Sequence, residues 1–414
     1  MKIIIRNCNV AELDIPLKYA TKLYNEFAIR HPNAFYLRTR QRGMQNWDGK
    51  IKYITKTGQF KIGLLPSVYK RCIELGIKPI IVDMRQPLPK VSKVVTQIGK
   101  YKLRPEQEKA VKAILSNKLG ETPFQIGVLD YTVNAGKTLI MSALYLSYKK
   151  QLKTLLITND SDWLNQARDE FKQYLPGEQI TFVQGKVLNW SNFTIGMVQS
   201  ISRNMRYYQN ELAKIDMVLI DEADQGGSKQ YQNVITRLFN TRVRIGLSGT
   251  IYMSKLAKDK VKNMNLRCFF GDVIAEFKLK DSIKKGYSTK TIVKTVEGKP
   301  WFGNWESDCM SYNEIYDDSI THNKIAWTMA LDRLKWNLNQ GRYPALVVCK
   351  HIAHCENLYE FFKERLDNTH NIAYVHVNTH TKLRQQIMKD FREGKIDILV
   401  STTIIARGKN FPKL

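Results

Sequence analysis

From about residue 100 onward the chain is punctuated by short apolar runs, each followed by polar loop residues and an amphipathic stretch. Ile126-Gly127-Val128-Leu129, Thr154-Leu155-Leu156-Ile157, Thr194-Ile195-Gly196-Met197-Val198 and Met217-Val218-Leu219-Ile220 come first. None alternates apolar with polar residues, so each reads as a strand covered on both faces. Strands of that kind lie parallel and need helical crossovers to cover them, which the amphipathic stretches supply. The pattern returns at Ala345-Leu346-Val347-Val348, Ile372-Ala373-Tyr374-Val375 and Ile398-Leu399-Val400. The fold class is therefore α/β, with two tandem parallel-sheet lobes over residues 96–285 and 286–414. A basic insertion, Lys255 through Lys262, interrupts the first.

Residues 1–95 read differently, as a small basic α+β domain. Lys2–Arg6 and Pro79–Val82 suit strands, whereas Lys18–Phe27 and Pro66–Leu75 have helical spacing. Arg38, Arg40 and Arg42 alternate within Tyr36–Arg42, so on a strand they would share one face and could track a phosphate backbone. Asp48-Gly49 reads as the hairpin turn that follows, flanked by Trp47 and Lys50. Trp47 either closes a small core or stacks on an unpaired base. The arginines either hold phosphates or are simply solvated. Pro87, Pro89 and the polar run to Gly99 make a linker.

Composition narrows the partner. The 414 residues carry 65 Lys+Arg against 38 Asp+Glu, a formal charge of +27. Such an excess favours a polyanion, because each phosphate contact releases condensed counterions. A hydrophobic fraction of 43% excludes wholesale disorder. No stretch approaches the roughly 18–20 apolar residues of a membrane span, and Met1–Arg6 is too short for a signal peptide. A cytoplasmic protein is expected. The six cysteines form no C-x-x-C pair, which argues against structural zinc and fits a reducing compartment. His351, His354 and Cys355 lack a fourth ligand and read as a helix opening after a buried strand.

Chemistry concentrates at two strand ends. Asn134-Ala135-Gly136-Lys137-Thr138 joins an apolar run to an amphipathic segment, a layout that aims backbone N–H groups at phosphates. Lys137 would reach the β and γ phosphates and Thr138 would ligate Mg²⁺. Tyr131 occupies the position where the full phosphate-loop pattern has its first glycine, and Asn134 stands where glycine is common. Asparagine enters the left-handed region most readily of the non-glycine residues, so the loop can still form. Downstream, Met217–Ile220 runs into Asp221-Glu222-Ala223-Asp224. Phosphoryl transfer to water needs a carboxylate on the metal and a base for the water, roles that suit Asp221 and Glu222 respectively.

With these motifs in place, residues 101 to the end resemble superfamily two helicases, whose lobes are RecA-like. Leu103-Arg104-Pro105-Glu106-Gln107 is similar to the adenine-reading motif, with Gln107 on the base and Arg104 nearby. Thr132, Val133, Asn134, Ala135, Gly136, Lys137 and Thr138 form motif I; Asp221 to Asp224 form motif II. Ser248 and Thr250 of Leu247–Thr250 form motif III, which in the family couples hydrolysis to nucleic-acid contact. The resemblance implies strand-backbone contacts at Asn159, Gln199 and Ser200. In the second lobe it places Lys350 in motif IV, and Thr402 and Arg407 in motif V. The literal Asp-Glu-Ala-Asp suggests a DEAD-box enzyme, but Leu103–Gln107, Thr158–Trp163 and Ser248-Gly249-Thr250 differ from that family's segments. Lys409-Asn410 replaces the usual acidic continuation of motif V. Motif VI, whose arginine finger is typically worth about 10³–10⁵ in rate, would begin beyond Leu414. Either the natural protein continues or it hydrolyses ATP poorly; continuation is the expectation, and Arg407 is no substitute on spacing.

Asn46–Lys50, Gly63-Leu64-Leu65-Pro66, Phe269–Ala275 and Lys285-Gly286-Tyr287, in this order with the motor motifs, resemble the bacteriophage UvsW helicases. That resemblance implies an amino-terminal DNA-binding domain, ATP and Mg²⁺ as cofactors, and branch migration or fork regression on forked and Holliday-type DNA. A phage-encoded protein would act in the host cytoplasm, as a monomer, alongside other replication and recombination proteins. Two alternatives stay open: a nucleotide-switched DNA-structure-binding protein with little turnover, and a duplex translocase subunit of a larger complex.

Overall fold

The computed structural model describes residues 1–40, 43–91, 93–187, 190–252, 257–290, 292–295, 311–366 and 369–405. The chain divides into two compact units, residues 1–290 and 291–414. No helix among the described residues is long and apolar enough to cross a membrane.

The first unit begins with a four-stranded sheet ordered Gln59–Lys61, Val10–Asp14, Lys2–Ile5, Ile80–Asp83. Ile3 and Ile5 alternate inward, fully buried, which is why this short run settles as a strand. Helices Leu17–Glu26 and Leu65–Glu74 follow the sequence periodicity. The arginine segment does not. Arg38 and Arg40 lie on a helix, Ala34–Arg40, inserted between the antiparallel strands Ala28–Arg30 and Lys50–Lys52. At about 100° per residue, positions two apart on a helix diverge, so these arginines do not line one strand face. Arg42 lies outside the described residues. Asp48-Gly49 is likewise no hairpin turn: Asp48 Oδ1 accepts from Lys50 N at 2.9 Å, a local side-chain turn that starts the next strand.

A seven-stranded, wholly parallel sheet follows, ordered Ile180–Val183, Phe193–Met197, Thr154–Thr158, Met217–Asp221, Val243–Ser248, Ile126–Tyr131, Val273–Phe277. Its central strands are buried along their whole length, as their unbroken apolar runs require. Val273–Phe277 is the edge strand beside Ile126–Tyr131. The described part of the basic insertion forms the helix Ala257–Phe270. The segment expected to be a free linker is docked: Leu88, Val91, Val94 and Val95 pack against the sheet's core. Residues of the amino-terminal sheet and of the parallel sheet share one hydrophobic cluster, Ile3 through Phe270.

The second unit has a three-stranded parallel sheet ordered Ala345–Cys349, Ile398–Thr402, Ile372–Val375. Helices Lys324–Asn339, Ile352–Lys363 and Thr381–Glu393 accompany it. His351 caps the helix that buries His354 and Cys355, as expected of a helix opening after a strand.

Candidate active site

Parallel strands carry their functional loops at their carboxyl ends, and the candidate residues gather along that edge of the seven-stranded sheet. Tyr131 ends its strand fully buried, and Thr132 N donates to Phe277 O at 3.0 Å. The chain then turns through Asn134 (φ 60°) and Gly136 (φ 71°), both left-handed, on either side of the buried Ala135. Asn134 thus takes the conformation that its chemistry allows. Gly136 caps the helix Lys137–Ser147, and its carbonyl accepts from Leu139 N and Ile140 N at 3.1 and 3.2 Å. Val133 and Asn134 stay exposed, while Lys137 and Thr138 are half-buried at the helix start.

The helix Pro105–Leu115 braces this loop from behind. Arg104 Nη2 donates to Asn134 O at 3.3 Å, and Gln107 Nε2 donates to Ala135 O at 2.9 Å. Gln107 Oε1 accepts from Arg104 N at 2.8 Å, closing a capping box. Gln107 is 1% exposed with both ends of its amide engaged. In this arrangement one proton and one lone pair of its amide hold the loop. Arg104 packs over the Tyr287 ring at 4.4 Å, so the motif also meets the chain leaving the lobe.

Two strands away, Asp221 ends Met217–Asp221 at 5% exposure. Burial pushes its carboxyl above the ordinary range, Lys137 and the Glu222 backbone N–H pull it back, and Asp224 and Asp160 push it up again. Lys137 and Asp221 therefore share one electrostatic neighbourhood. Asp221 Oδ1 is buried with no protein partner. Glu222 adopts a left-handed backbone (φ 50°), which starts the short turn Ala223–Gln225. Asp224 Oδ1 accepts from Ser248 Oγ at 3.0 Å, and Ser248 Oγ accepts from Thr250 N at 3.1 Å. Ser248 ends the strand lying between those of Asp221 and the phosphate loop, so this chain of bonds spans the edge.

The remaining candidates are dispersed. Gln199 Nε2 donates to Asn159 O at 3.1 Å, joining the ends of two neighbouring strands, and Ser200 Oγ accepts from Gly185 N at 3.2 Å. Arg38, Arg40 and Lys50 are exposed, with Arg40 over the Tyr36 ring at 5.0 Å. Trp47 is half-buried, its indole N–H donating to Lys50 O at 3.0 Å. In the second unit Lys350 lies over Tyr316 at 4.7 Å, and Thr402 is buried beside Ser401, whose hydroxyl donates to Val375 O at 2.9 Å. Arg407 lies outside the described residues.

Sequence reasoning missed three residues. Tyr231 is 1% exposed with an unpartnered hydroxyl, and after burial its raised pKa owes most to Asp221, Glu222 and Asp224. Asp130, just before the loop, is bridged to Lys278. Arg244, 1% exposed, interrupts an otherwise apolar strand, and that interruption was the visible signal.

The site fits a metal-bound triphosphate. The orphaned oxygen on Asp221 suits a cation, and Mg²⁺ commonly takes one or two carboxylates and completes its shell with phosphates and water. Gly136 has φ 71°, and a Cβ there would stand 2.3 Å from Gln107 Nε2, so a side chain would strain the loop and displace the Gln107 amide.

Residues 100–253 match the family model of the type III restriction enzyme res subunit, and residues 328–414 match the helicase conserved C-terminal domain. The chain has the fold of T4 UvsW from bacteriophage T4, with a TM-score of 0.52 at 20% identity, covering 100% of this chain and 83% of that one. Competence protein ComFA of Streptococcus pneumoniae is 39% identical over 70 residues, 17% of this chain and 16% of that protein. The ATP-dependent RNA helicase CHR1 of Candida albicans is 22% identical over 209 residues, 49% and 29% respectively. The chain thus spans less than a third of either curated relative.

Proposed function

We propose that this chain, which belongs to the superfamily two helicases, hydrolyses ATP to drive a motor on branched DNA. The observation that carries the reading is the shared edge: a left-handed phosphate loop, Lys137, and a buried carboxylate with an orphaned oxygen, all in one neighbourhood. Lys137 and the loop amides hold the β and γ phosphates. Thr138 and Asp221 would hold Mg²⁺, which when bound would supply charge neutralisation at the transferring phosphoryl group. Glu222 orients the attacking water and takes its proton. The Asp224–Ser248–Thr250 chain then carries a change at the acid pair toward the next loop. Asn159, Gln199 and Ser200 lie at neighbouring strand ends, where a nucleic-acid backbone would feel it.

Support for branched DNA comes from three features: the basic amino-terminal domain, the net charge of +27, and the fold likeness to a phage helicase along the whole chain. Exposed Arg38, Arg40 and Lys50 are its phosphate contacts. The test is ATPase activity with forked, four-way, single-stranded and blunt duplex DNA. Forks and junctions should stimulate most, and Lys137→Ala and Glu222→Gln should each lower turnover by about 10²–10⁴. Parent-like turnover in both variants sinks the site; equal stimulation by blunt duplex sinks the branched substrate. A duplex translocase is the second reading, favoured by the restriction-subunit match over residues 100–253. It predicts movement on blunt duplex without strand displacement.

A further inference from the structure

At the opposite edge of the seven-stranded sheet, where its strands begin, lies a cavity of about 590 Å³. Asp216 and Arg242, each just before a central strand, line it together with Arg6, Arg85 and the Met84–Pro89 segment leaving the amino-terminal sheet. The Arg85 and Arg242 side chains are 2% and 8% exposed, yet they share a single carboxylate. Arg85 Nε and Nη2 donate to the two oxygens of Asp83 at 2.8 and 2.9 Å, and Arg242 Nη2 lies 3.4 Å from the second. Arg85 Nη1, Arg242 Nε and Arg242 Nη1 are buried with no partner.

Nothing nearby supplies the missing charge. Arg244 adds a third cation, its donors spent on the neutral acceptors Cys8 O, Asn9 Oδ1 and Phe269 O. The neighbouring Cys8 thiol is pushed up by burial and stays neutral. Asp216 is also raised by burial, and its Oδ2 already accepts from Lys153 N. Guanidinium groups do not shed a proton at neutral pH, so titration cannot relieve the excess. A buried ion without a partner costs far more than a paired one. Even with the Asp216 carboxyl counted beside Asp83, three guanidiniums leave the cluster one anion short.

We propose that Arg85 and Arg242 form a binding site for a phosphate-class oxyanion, either a free phosphate or the phosphate of a nucleotide, beneath the Pro87–Pro89 segment. Three unpartnered nitrogens on two planar guanidiniums match several oxygens of one tetrahedral anion. Among the described residues, 86–91 make no backbone hydrogen bond and two of the six are prolines, so Leu88 and Val91 hold this strap on the core by side-chain packing while the guanidiniums turn into the cavity beneath it. Arg85, Arg242 and the same strap also line a second cavity, of about 940 Å³. Lys137 lies at the far edge of the sheet, so the anion does not compete with a phosphate-loop ligand. Its occupant would join the amino-terminal sheet to the first residues of the motor strands.

The test is thermal denaturation of the full chain carrying Lys137→Ala, which disables the phosphate loop. Inorganic phosphate, pyrophosphate and AMP are each titrated at constant ionic strength against sodium chloride. A saturable rise in Tm of about 2–4 °C is expected at a ligand concentration about tenfold above Kd. Arg242→Gln should abolish it. A response to phosphate and pyrophosphate alone assigns the site to free anions, and an equal response to AMP assigns it to nucleotide phosphates. No rise beyond chloride, or a rise that survives Arg242→Gln, overturns the proposal. Should Arg242→Gln not fold, Arg6→Gln at the exposed rim is expected to weaken binding several-fold, and unchanged binding there overturns it equally.

Discussion

Gln107 offers the sharpest test of how the nucleotide loop is held. Its amide makes two buried hydrogen bonds, to Ala135 O at 2.9 Å and from Arg104 N at 2.8 Å. Each is worth about 1 kcal/mol net, and a buried carbonyl left unpaired costs a further ~1–3 kcal/mol. Gln107→Ala therefore removes about 2 kcal/mol or more of support from the loop, with Ala135 O as the group left orphaned. If that energy fixes the phosphate-binding shape, nucleotide Kd rises roughly 30-fold, since 1.4 kcal/mol is a factor of ten. The contact is to loop backbone, so the loss should be the same for ATP and GTP. Gln107→Glu keeps the acceptor toward Arg104 N but sets a carboxylate oxygen against Ala135 O, and should be at least as harmful. The assay is equilibrium binding of fluorescent ATP and GTP to the full chain in the presence of Mg²⁺. A variant that loses ATP affinity while retaining GTP affinity would refute the argument, because a base reader discriminates and a loop brace does not.

Two further outcomes follow from burial. Asp221 is raised above the ordinary carboxylate range, so the folded state binds its proton more tightly than the unfolded chain does. Its stability contribution is full below about pH 4 and is lost as pH rises through the raised pKa. Asp221→Asn should accordingly raise Tm at pH 7 in the absence of nucleotide and divalent cation, by roughly 2–4 °C per kcal/mol of relieved desolvation, while ATPase activity falls to background. An unchanged or lower Tm at pH 7 would show that burial of this charge costs nothing. Arg244→Met strips donors from the neutral acceptors Cys8 O, Asn9 Oδ1 and Phe269 O and should cost about 1–3 kcal/mol in urea unfolding, the orphaned acceptors outweighing the relief of a buried cation, with the amino-terminal residues becoming protease-sensitive first. A loss under about 1 kcal/mol would mean that this arginine is not what joins those segments.

The sequence displayed the lobes because a strand buried on both faces has nowhere to put a polar side chain, and runs such as Met217–Ile220 advertise that directly. It displayed the phosphate loop because only a few residues tolerate the left-handed backbone required at Asn134 and Gly136. What it concealed depends on partners distant in sequence. The alternation Arg38, Arg40, Arg42 looks like a strand, but strand pairing between Ala28–Arg30 and Lys50–Lys52 takes the hydrogen bonds, and the intervening residues coil into a helix. The role of Gln107 was hidden for the same reason, since an amide suits a base edge and a backbone carbonyl equally well. Only the fold brings Ala135 O, 28 residues further on, within reach of that amide. Arg244 was legible as an anomaly, a cation inside Val243–Ser248, though not as a tie to Cys8 and Asn9.

The least legible feature bears most on mechanism. A basic amino-terminal domain followed by a proline-bearing linker suggests a module on a tether, yet its sheet shares a core with the seven-stranded sheet. The helix Ala257–Phe270 makes the link concrete. At one side its Arg267 and Cys268 carbonyls press on Gly63 so closely that a Cβ there would stand 2.1 Å and 2.7 Å from them. At the other, Phe270 fills the space beside Gly226, where a Cβ would meet its ring at 2.2 Å, directly after the turn Ala223–Gln225 that carries Asp224. One rigid helix thus contacts both the amino-terminal domain and the acidic motif, with backbone at one contact and an aromatic ring at the other. Close-packed elements of this kind shift as units rather than deforming continuously. Any displacement of the amino-terminal domain must therefore either move Phe270 against the acidic turn or unpack Gly63, and a tethered module would face neither choice.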